Sequence, residues 1–220
     1  MKRIDPAQTT RFEVPQLAAA QISRAARIGA STLHEAGGKI GALPAQIRAL
    51  DPKFRVCGRA LTVHSPGGDN LWLHRALAIA QPGDVMVVYA SGAYDYGYWG
   101  EVMATAAQAR GVAGLVMDGC VRDLTALRAM NFPVFARGTC MRGTGKDFGA
   151  LGWINYPILL GDISVAAGDL IVGDEDGVVA IPSGRVDEVL NLAEQREAKE
   201  AQVMERLRRG ETTLAIYGWE

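Results

Sequence analysis

Cysteine and histidine are scarce in this sequence of 220 residues, which has three of each. Cys57, Cys120 and Cys140 lie far apart, their number is odd, and the sequence has no CxxC pair. Neither a zinc cage nor a disulfide framework is therefore predicted. Scattered thiols of this kind are typical of a protein from a reducing compartment.

An excess of charge of one sign is also missing, because 23 Lys and Arg stand against 24 Asp and Glu. A balanced chain has no broad field to hold a polyanion, which argues against nucleic acid and anionic membranes as partners. No apolar run approaches the roughly 20 residues of a membrane span. The polar N-terminus lacks the apolar core of a signal peptide. We therefore expect a cytoplasmic protein with no nucleic-acid or membrane partner.

The first part of the chain alternates between helical and strand periodicity. Helices are predicted over residues 15–28, 69–80, 101–110 and 123–130, and strands over 54–63, 85–89, 113–117 and 133–136. Strands separated by helices of about ten residues predict βαβ units and a partly parallel sheet.

From about residue 150 the pattern changes to consecutive short strands, over 158–160, 170–172 and 178–181. The sequence from Asp174 to Gly177 predicts a hairpin turn, because Asp-Gly supplies the positive φ of a tight turn. A long helix follows over about 185–209 and ends at Gly210. Its second half is dominated by charge, so it is either a solvated arm or lies on a neighbouring subunit. One α/β domain over residues 1–220 is predicted.

Two strand-to-helix junctions carry residues suited to chemistry. One leads through Gly100 into the helix that begins with Glu101, and the other contains Arg122 and Asp123. Ligands of open α/β sheets bind beyond the carboxyl ends of the strands, where free helix amides can also hold a carboxylate. Carboxylates suit Mg²⁺ or Mn²⁺, and an arginine can stabilise a developing enolate. The alternative is structural, with Asp123 as a helix cap, Glu101 as a partner of the helix dipole and Arg122 as a surface charge.

Three segments carry a resemblance to a known family: WGEVMATAAQARGVAGLVMDGCVRD, FPVFARGTCMRGT and GDLIVGDEDGVVAIP. From about Asp69 onward the sequence resembles the RraA-like superfamily, in which an acidic residue precedes an Arg-Asp pair by twenty intervening residues. Glu101 and the pair Arg122-Asp123 have that spacing. The resemblance implies a layered α/β/β/α fold of the swivelling-domain type, with a mixed sheet and a long C-terminal helix.

The superfamily contains divalent-metal pyruvate aldolases that act on 4-hydroxy-4-methyl-2-oxoglutarate and 4-carboxy-4-hydroxy-2-oxoadipate. The resemblance implies that Asp123 contacts the metal, Mg²⁺ or Mn²⁺, and that Glu101 holds it through water. It implies that Arg122 binds the oxo group of a small 2-oxo acid. It also implies that the amides of Val102 and Met103, beyond Gly100, receive the pyruvyl carboxylate.

Related aldolases also use a glutamate from the C-terminal region of an adjacent subunit, in trimers or hexamers. Glu197 and Glu200 are both candidates for this residue. A further acidic residue that often follows the Arg-Asp pair is replaced here by Leu124, Thr125 and Ala126. Both aldol cleavage and decarboxylation of oxaloacetate therefore stay open. The alternative function is that of family members that bind and inhibit ribonuclease E without catalysis.

The remaining features point to structure more than to chemistry. The segment from Gly143 to Lys146 is similar to a phosphate loop but lacks its Ser/Thr and its glycine spacing, and so predicts a structural loop. His74 and Cys120 are expected to be packing residues, and no histidine pair has metal-ligand spacing. Four aromatic residues can line a pocket or pack at a subunit interface: Tyr94, Tyr96, Tyr98 and Trp99.

Overall fold

The computed structural model describes residues 3–220 and contains ten strands and seven α-helices in that range. The strands are β1 (Arg48–Ala49), β2 (Val56–His64), β3 (Asp84–Tyr89), β4 (Gly114–Val121), β5 (Val134–Thr139), β6 (Trp153–Ile154), β7 (Ile158–Leu160), β8 (Ile163–Val165), β9 (Leu170–Asp174) and β10 (Gly177–Ile181). The helices are α1 (Ala19–Ala25), α2 (Ala30–Ala36), α3 (Leu71–Ile79), α4 (Glu101–Ala109), α5 (Leu124–Ala129), α6 (Val186–Arg208) and α7 (Thr213–Tyr217).

Eight of the strands form one mixed sheet. Its order is β1-β5-β4-β3-β2-β9-β10, with β6 paired to the end of β2, and β7 and β8 form a separate two-stranded sheet. Strands β2, β3, β4 and β5 run parallel, whereas β1, β9 and β10 pair antiparallel with their neighbours. The edge strands β1 and β10 approach each other, so the sheet is nearly closed. The central strands read as continuous apolar runs because both faces of a parallel sheet are covered.

Two clusters of buried side chains hold the elements together. In the larger cluster, α3 and α4 pack on the parallel strands through side chains such as Trp72, Leu73 and Met103. In the smaller one, α1, α2 and the first half of α6 pack on β9 and β10. Burial of this apolar surface stabilises the fold by roughly 25 cal/mol for each Å² removed from water.

The βαβ pattern and the hairpin predicted from the sequence are confirmed. Gly177 pairs with Asp174 across the β9–β10 turn, with a φ of 148° at the glycine. The long helix is also confirmed, and Gly210 follows it with a φ of 94°.

The helix predicted over residues 15–28 is confirmed in a shorter form, as α1 over Ala19–Ala25. The chain then breaks at Gly29 and forms α2 in a region where no helix is predicted. Gly29 has an extended backbone and precedes the first turn of α2. Leu33 of α2 is fully buried, so tertiary packing supports a helix too short to be stable alone.

The strand predicted over residues 113–117 is longer than expected. Strand β4 continues to Val121, with a shift in its register to β5 between Met117 and Cys120. The junction after β4 therefore consists of Arg122 and Asp123 alone, and α5 begins directly at Leu124.

Helix α6 changes character along its length. Val186, Val189, Leu190 and Ala193 are buried against the chain, whereas beyond Ala193 the helix has no fully buried residue. None of the helices in residues 3–220 is long and apolar enough to cross a membrane.

Candidate active site

The loop from β3 to α4 is hydrogen-bonded along the end of β4. Gly97 and Cys120 form a parallel bridge, and the amide of Tyr98 donates to the carbonyl of Cys120 at 3.1 Å. The amide of Arg122 then donates to the carbonyl of Trp99 at 2.7 Å. These bonds bring the start of α4 beside Arg122 and Asp123, as expected for neighbouring strand ends of a parallel sheet.

Asp123 is held in a left-handed conformation, with φ 59° and ψ 36°. Aspartate tolerates this region better than most residues other than glycine and asparagine. Its side chain makes no capping bond to its own helix α5. Instead, Oδ2 of Asp123 accepts a hydrogen bond from the amide of Glu101 at 3.1 Å. The carboxylate thus lies at the positive N-terminus of α4.

The absence of a side chain at Gly100 leaves the space that the carboxylate of Asp123 occupies. A Cβ atom built on Gly100 would lie 2.2 Å from Oδ2 of Asp123, closer than any non-bonded contact allows. The same Cβ would meet Cγ of Arg122 at 3.1 Å. Glycine at this position is therefore explained by the close approach of the Arg122-Asp123 pair rather than by a special backbone angle.

Arg122 and Asp123 present opposite charges from adjacent positions. Nε of Arg122 lies 3.7 Å from Oδ2 of Asp123, and about half of each side chain is exposed. At this distance and exposure the attraction is weak, worth about 1 kcal/mol or less. The guanidinium group therefore keeps most of its hydrogen-bonding capacity for a ligand.

The first amides of α4 provide a site for an anion. Within residues 3–220, no backbone carbonyl outside helix α4 accepts the amide of Val102 or Met103. Inside the helix, the amides of the first turn have no carbonyl in register before them. The Val102 side chain is 77% exposed, whereas that of Met103 is buried. Glu101 is exposed at the same helix end.

One cavity of about 330 Å³ contains these groups. It is lined by Asn70, His74, Tyr98, Gly100, Val102, Met103, Arg122, Asp123, Gly143, Thr144 and Lys146. The structure thus brings together the predicted residues of both junctions, Gly100, Val102, Met103, Arg122 and Asp123. Glu101 adjoins the cavity through its amide, which is bonded to Asp123.

Asn70, His74 and Lys146 were not predicted as site residues. His74, expected to be a packing residue, is half-buried and lines the cavity. Its pKa is lowered by burial and then by the nearby charge of Lys146, while Asp69 acts in the opposite direction. The segment from Gly143 to Lys146, expected to be structural, reaches the cavity from the distant connection between β5 and β6. No local motif in the sequence predicts that this loop reaches the cavity. Two glycines and a lysine in one loop are the feature that could have indicated a binding role.

The aromatic residues of the β3–α4 loop have different positions. Tyr98 is buried, lines the cavity, and its hydroxyl donates to the carbonyl of Ala93 at 2.6 Å. Burial raises the pKa of the Tyr98 hydroxyl. Trp99 is fully buried and stacks on Phe132, whereas Tyr94 is exposed beneath the guanidinium group of Arg137.

Cys120 has the properties of a packing residue more than of a nucleophile. The thiol is partly buried, and its pKa is raised chiefly by burial and secondly by Cys140. A raised pKa disfavours the reactive thiolate at neutral pH.

The site fits a hard divalent ion that keeps most of its water. No group of three His, Cys, Asp or Glu side chains in residues 3–220 is arranged as a ready-made metal cage. Mg²⁺ is commonly held by one or two carboxylates with water completing its octahedron. Asp123 offers such a carboxylate, because Oδ2 carries the contacts to Glu101 and Arg122 and leaves Oδ1 for an ion.

Glu197 and Glu200 lie on α6 and do not line the cavity within the same chain. Both continue the helical stripe of the buried Ala193, at spacings of four and seven residues. The carboxylate of Glu200 is 2.8 Å from Nε of Arg196, which also pairs with Glu35. Glu197 is exposed and makes no ion pair with any side chain in the described part of the chain.

Comparisons with known proteins agree with this architecture. A family model described as "RraA-like: Aldolase/RraA" matches residues 19–180. A protein of Halalkalibacterium halodurans named "Putative 4-hydroxy-4-methyl-2-oxoglutarate aldolase" is 41% identical over 156 residues, which cover 71% of this chain and 73% of that protein.

Solved structures are similar over nearly the whole chain. An uncharacterized protein from Pseudomonas syringae pv. tomato superposes with a TM-score of 0.80 at 28% identity, over 92% of this chain and 94% of that one. Streptomyces coelicolor RraAS2, described as an unusual member of the RNase ES inhibitor RraA protein family, superposes with a TM-score of 0.73 at 26% identity, over 91% and 100%. The layered α/β fold expected from the sequence is confirmed.

Proposed function

The chain belongs to the RraA-like family, and we propose that it is a divalent-metal-dependent lyase. Its substrate is a 4-hydroxy-2-oxo acid of the 4-hydroxy-4-methyl-2-oxoglutarate type, which it cleaves to pyruvate and a second 2-oxo acid. The observation that carries the proposal is the position of Arg122 and Asp123 at the N-terminus of α4, within one cavity. A cytoplasmic location is part of the same proposal.

The reaction needs an electron sink next to the bond that breaks. Loss of the proton from the C4 hydroxyl forms a C4 carbonyl, the C3–C4 bond breaks, and its electron pair enters the enolate of pyruvate. Protonation at C3 then gives pyruvate. Groups that bind the enolate oxygen more tightly than the oxo group of the substrate lower this barrier.

The cavity has a group for each part of the pyruvyl unit. The guanidinium group of Arg122 binds the oxo oxygen and stabilises the negative charge that develops there. The amides of Val102 and Met103 receive the carboxylate at the N-terminus of α4. Asp123 holds the ion, and Glu101 holds it through water. When bound, Mg²⁺ or Mn²⁺ supplies Lewis acidity to the oxo group.

The site is completed in this proposal by a neighbouring chain, in a trimer or hexamer. Of the two candidate glutamates, we choose Glu197, because Glu200 already pairs with Arg196 at 2.8 Å. The exposed second half of α6 is then the part of the chain that reaches the neighbour.

The test is release of pyruvate by purified protein from 4-hydroxy-4-methyl-2-oxoglutarate and from oxaloacetate. The protein is first treated with a chelator and then supplied with Mg²⁺ or Mn²⁺. The proposal expects turnover to disappear with the chelator and to return with the ion. Absence of pyruvate from both substrates with either ion would contradict it.

The similarity to Streptomyces coelicolor RraAS2 favours a second candidate, a non-catalytic inhibitor of an RNase E-type ribonuclease. The two candidates differ in their response to Asp123→Asn. A lyase loses turnover with this substitution. An inhibitor that acts through its surface keeps its binding to the ribonuclease, measured with the purified pair.

A further inference from the structure

A second cavity, of about 520 Å³, lies at the opposite ends of the parallel strands from the candidate active site. It is lined by Asp84, the first residue of β3, whereas the active site follows the last residue of that strand, Tyr89. A strand of this length spans about 17 Å, so the two cavities are separate. The volume lies within the roughly 300–1,000 Å³ of pockets that hold small molecules.

The two charged side chains that line this cavity in the described part of the chain neutralise each other. Nε and Nη2 of Arg59 donate to Oδ1 of Asp84 at 2.8 and 2.6 Å, and Oδ2 of Asp84 accepts the amide of Gln81 at 2.9 Å. Nη1 of Arg59 donates to no group within residues 3–220. A wall without net charge favours a neutral ligand over an ion, and Nη1 provides a donor for it.

Two glutamine side chains on the cavity wall are oriented by the backbone. Nε2 of Gln16 donates to the carbonyl of Val14 at 3.0 Å, and Nε2 of Gln81 donates to the carbonyl of Ile79 at 3.1 Å. Each amide therefore keeps its oxygen and one N–H for a ligand. A hydroxyl group, which both donates and accepts, matches such an amide.

The ring of Phe12 provides the apolar side of the cavity, next to the buried Leu61. Phe12 is 69% exposed, but the segment that carries it is fixed to the sheet. The amide of Arg11 donates to the carbonyl of Ile154 at 3.1 Å, and Nδ2 of Asn155 donates to the carbonyl of Arg11 at 2.8 Å. The electronegative face of an aromatic ring attracts weakly positive C–H groups, such as those on the flat face of a sugar ring.

We propose that this cavity binds a pyranose sugar. The C–H face of the sugar stacks on Phe12, and neighbouring hydroxyls bond to the amides of Gln16 and Gln81 and to Nη1 of Arg59. A purely apolar ligand would bury these polar groups without partners, which is unfavourable. The binding function is separate from the proposed lyase and does not depend on it.

The test measures saturation transfer by NMR from the full chain to added ligands over a concentration series, which gives a Kd for each. The probes are D-glucose, D-galactose, D-mannose and D-xylose. Tetrahydropyran, the same ring without hydroxyls, is the control ligand. We expect a Kd on the order of 1 mM for at least one of the sugars and no saturable transfer to tetrahydropyran.

Two variants, Phe12→Ala and Gln81→Ala, each remove one group from the cavity. Their matched controls are Phe148→Ala, at another exposed phenylalanine, and Gln108→Ala, at another glutamine whose Nε2 donates to a carbonyl, that of Met130 at 2.9 Å. Neither control residue lines the cavity. We expect Phe12→Ala to raise the Kd about 10-fold or more and Gln81→Ala to raise it about 3- to 10-fold, with no change in the controls.

Absence of saturable transfer from the wild type to all four sugars would overturn the site. The same conclusion would follow from an equal Kd in the wild type, Phe12→Ala and Gln81→Ala. Binding of tetrahydropyran as tight as that of the sugars would also overturn it, because the hydroxyls would then contribute nothing. None of these measurements uses the metal or the substrate of the proposed lyase, so the result stands whether or not the protein releases pyruvate.

Discussion

The carboxylate of Asp123 caps helix α4, although the capped residue, Glu101, lies 22 positions earlier in the chain. A capping bond contributes about 1 kcal/mol to stability. The left-handed backbone of Asp123 costs a similar amount, about 1 kcal/mol or somewhat more. Stability gains little from this arrangement, so its main consequence is the placement of a carboxylate beside Arg122 and the free amides of α4.

Replacement of Gly100 by alanine should displace that carboxylate, because the new Cβ would lie 2.2 Å from Oδ2 of Asp123. We expect turnover to fall about 100-fold or more, as for other losses of preorganised charge at a reacting centre. Steady-state kinetics at saturating Mg²⁺ measures the effect. Gly184→Ala is the control, since a Cβ there meets open space. Equal activity of the two variants would contradict the role of the close approach.

The substitution Arg122→Lys keeps the positive charge and removes the planar guanidinium group with its fixed set of N–H donors. We expect a fall in kcat of about 10²- to 10³-fold with a smaller change in KM, because a point charge on a flexible stem does not reproduce the donors of a guanidinium group. Arg110→Lys, at the exposed C-terminal end of α4, is the control. A rate for Arg122→Lys within threefold of the wild type would argue against oxyanion stabilisation by Arg122.

Glu197 can be tested by complementation between subunits. Asp123→Asn and Glu197→Gln should each be inactive alone. When the two variants are mixed, unfolded and refolded together, some sites should combine an intact Asp123 with an intact Glu197, so part of the activity should return. Activity of Glu197→Gln alone, together with inactivity of Glu200→Gln alone and recovery when Glu200→Gln is refolded with Asp123→Asn, would transfer the role to Glu200. Light scattering on the same samples gives the number of subunits.

His64 should make stability depend on pH. Its imidazole stacks on Trp153 at 3.6 Å, Nδ1 is buried without a partner in residues 3–220, and burial lowers its pKa to about 4. In the unfolded chain the pKa returns to about 6.5. Between pH 6.5 and 4 the unfolded state therefore binds more protons, so this contribution is complete above pH 6.5 and is lost as the pH falls through that window.

The measurement is the midpoint of urea unfolding from pH 7 to 4 for the wild type and for His64→Phe, which keeps a ring and removes the titration. The midpoint of the wild type should fall more steeply over this range than that of the variant. Parallel curves would show that His64 does not titrate differently in the folded and unfolded states.

The fold was largely predictable because local patterns determine most of it. The apolar run of β3 and the Asp174–Gly177 turn encode their structure within a few residues. Helix α2 could not be predicted, since its stability depends on the contact of Leu33 with distant strands. For the same reason, half of the site was predictable from the paired junctions and half was not. The loop that carries Lys146 reaches the cavity through long-range hydrogen bonds, such as those of the Asp147 amide to Asp69 and of the Gly145 amide to Gly68, which no local spacing reveals.

The central claim is that Asp123 acts as the metal-holding carboxylate of a pyruvate-releasing lyase. Asp123→Asn tests it most directly, because asparagine tolerates the left-handed backbone and can still accept the hydrogen bond of Glu101. The measurement is the rate of pyruvate release from 4-hydroxy-4-methyl-2-oxoglutarate across a Mg²⁺ titration, with Asp162→Asn as the matched control at an exposed turn. The account predicts metal-dependent turnover in the wild type and in Asp162→Asn, and loss of at least about 100-fold in a folded Asp123→Asn. Metal-dependent turnover at the wild-type rate in Asp123→Asn would contradict it.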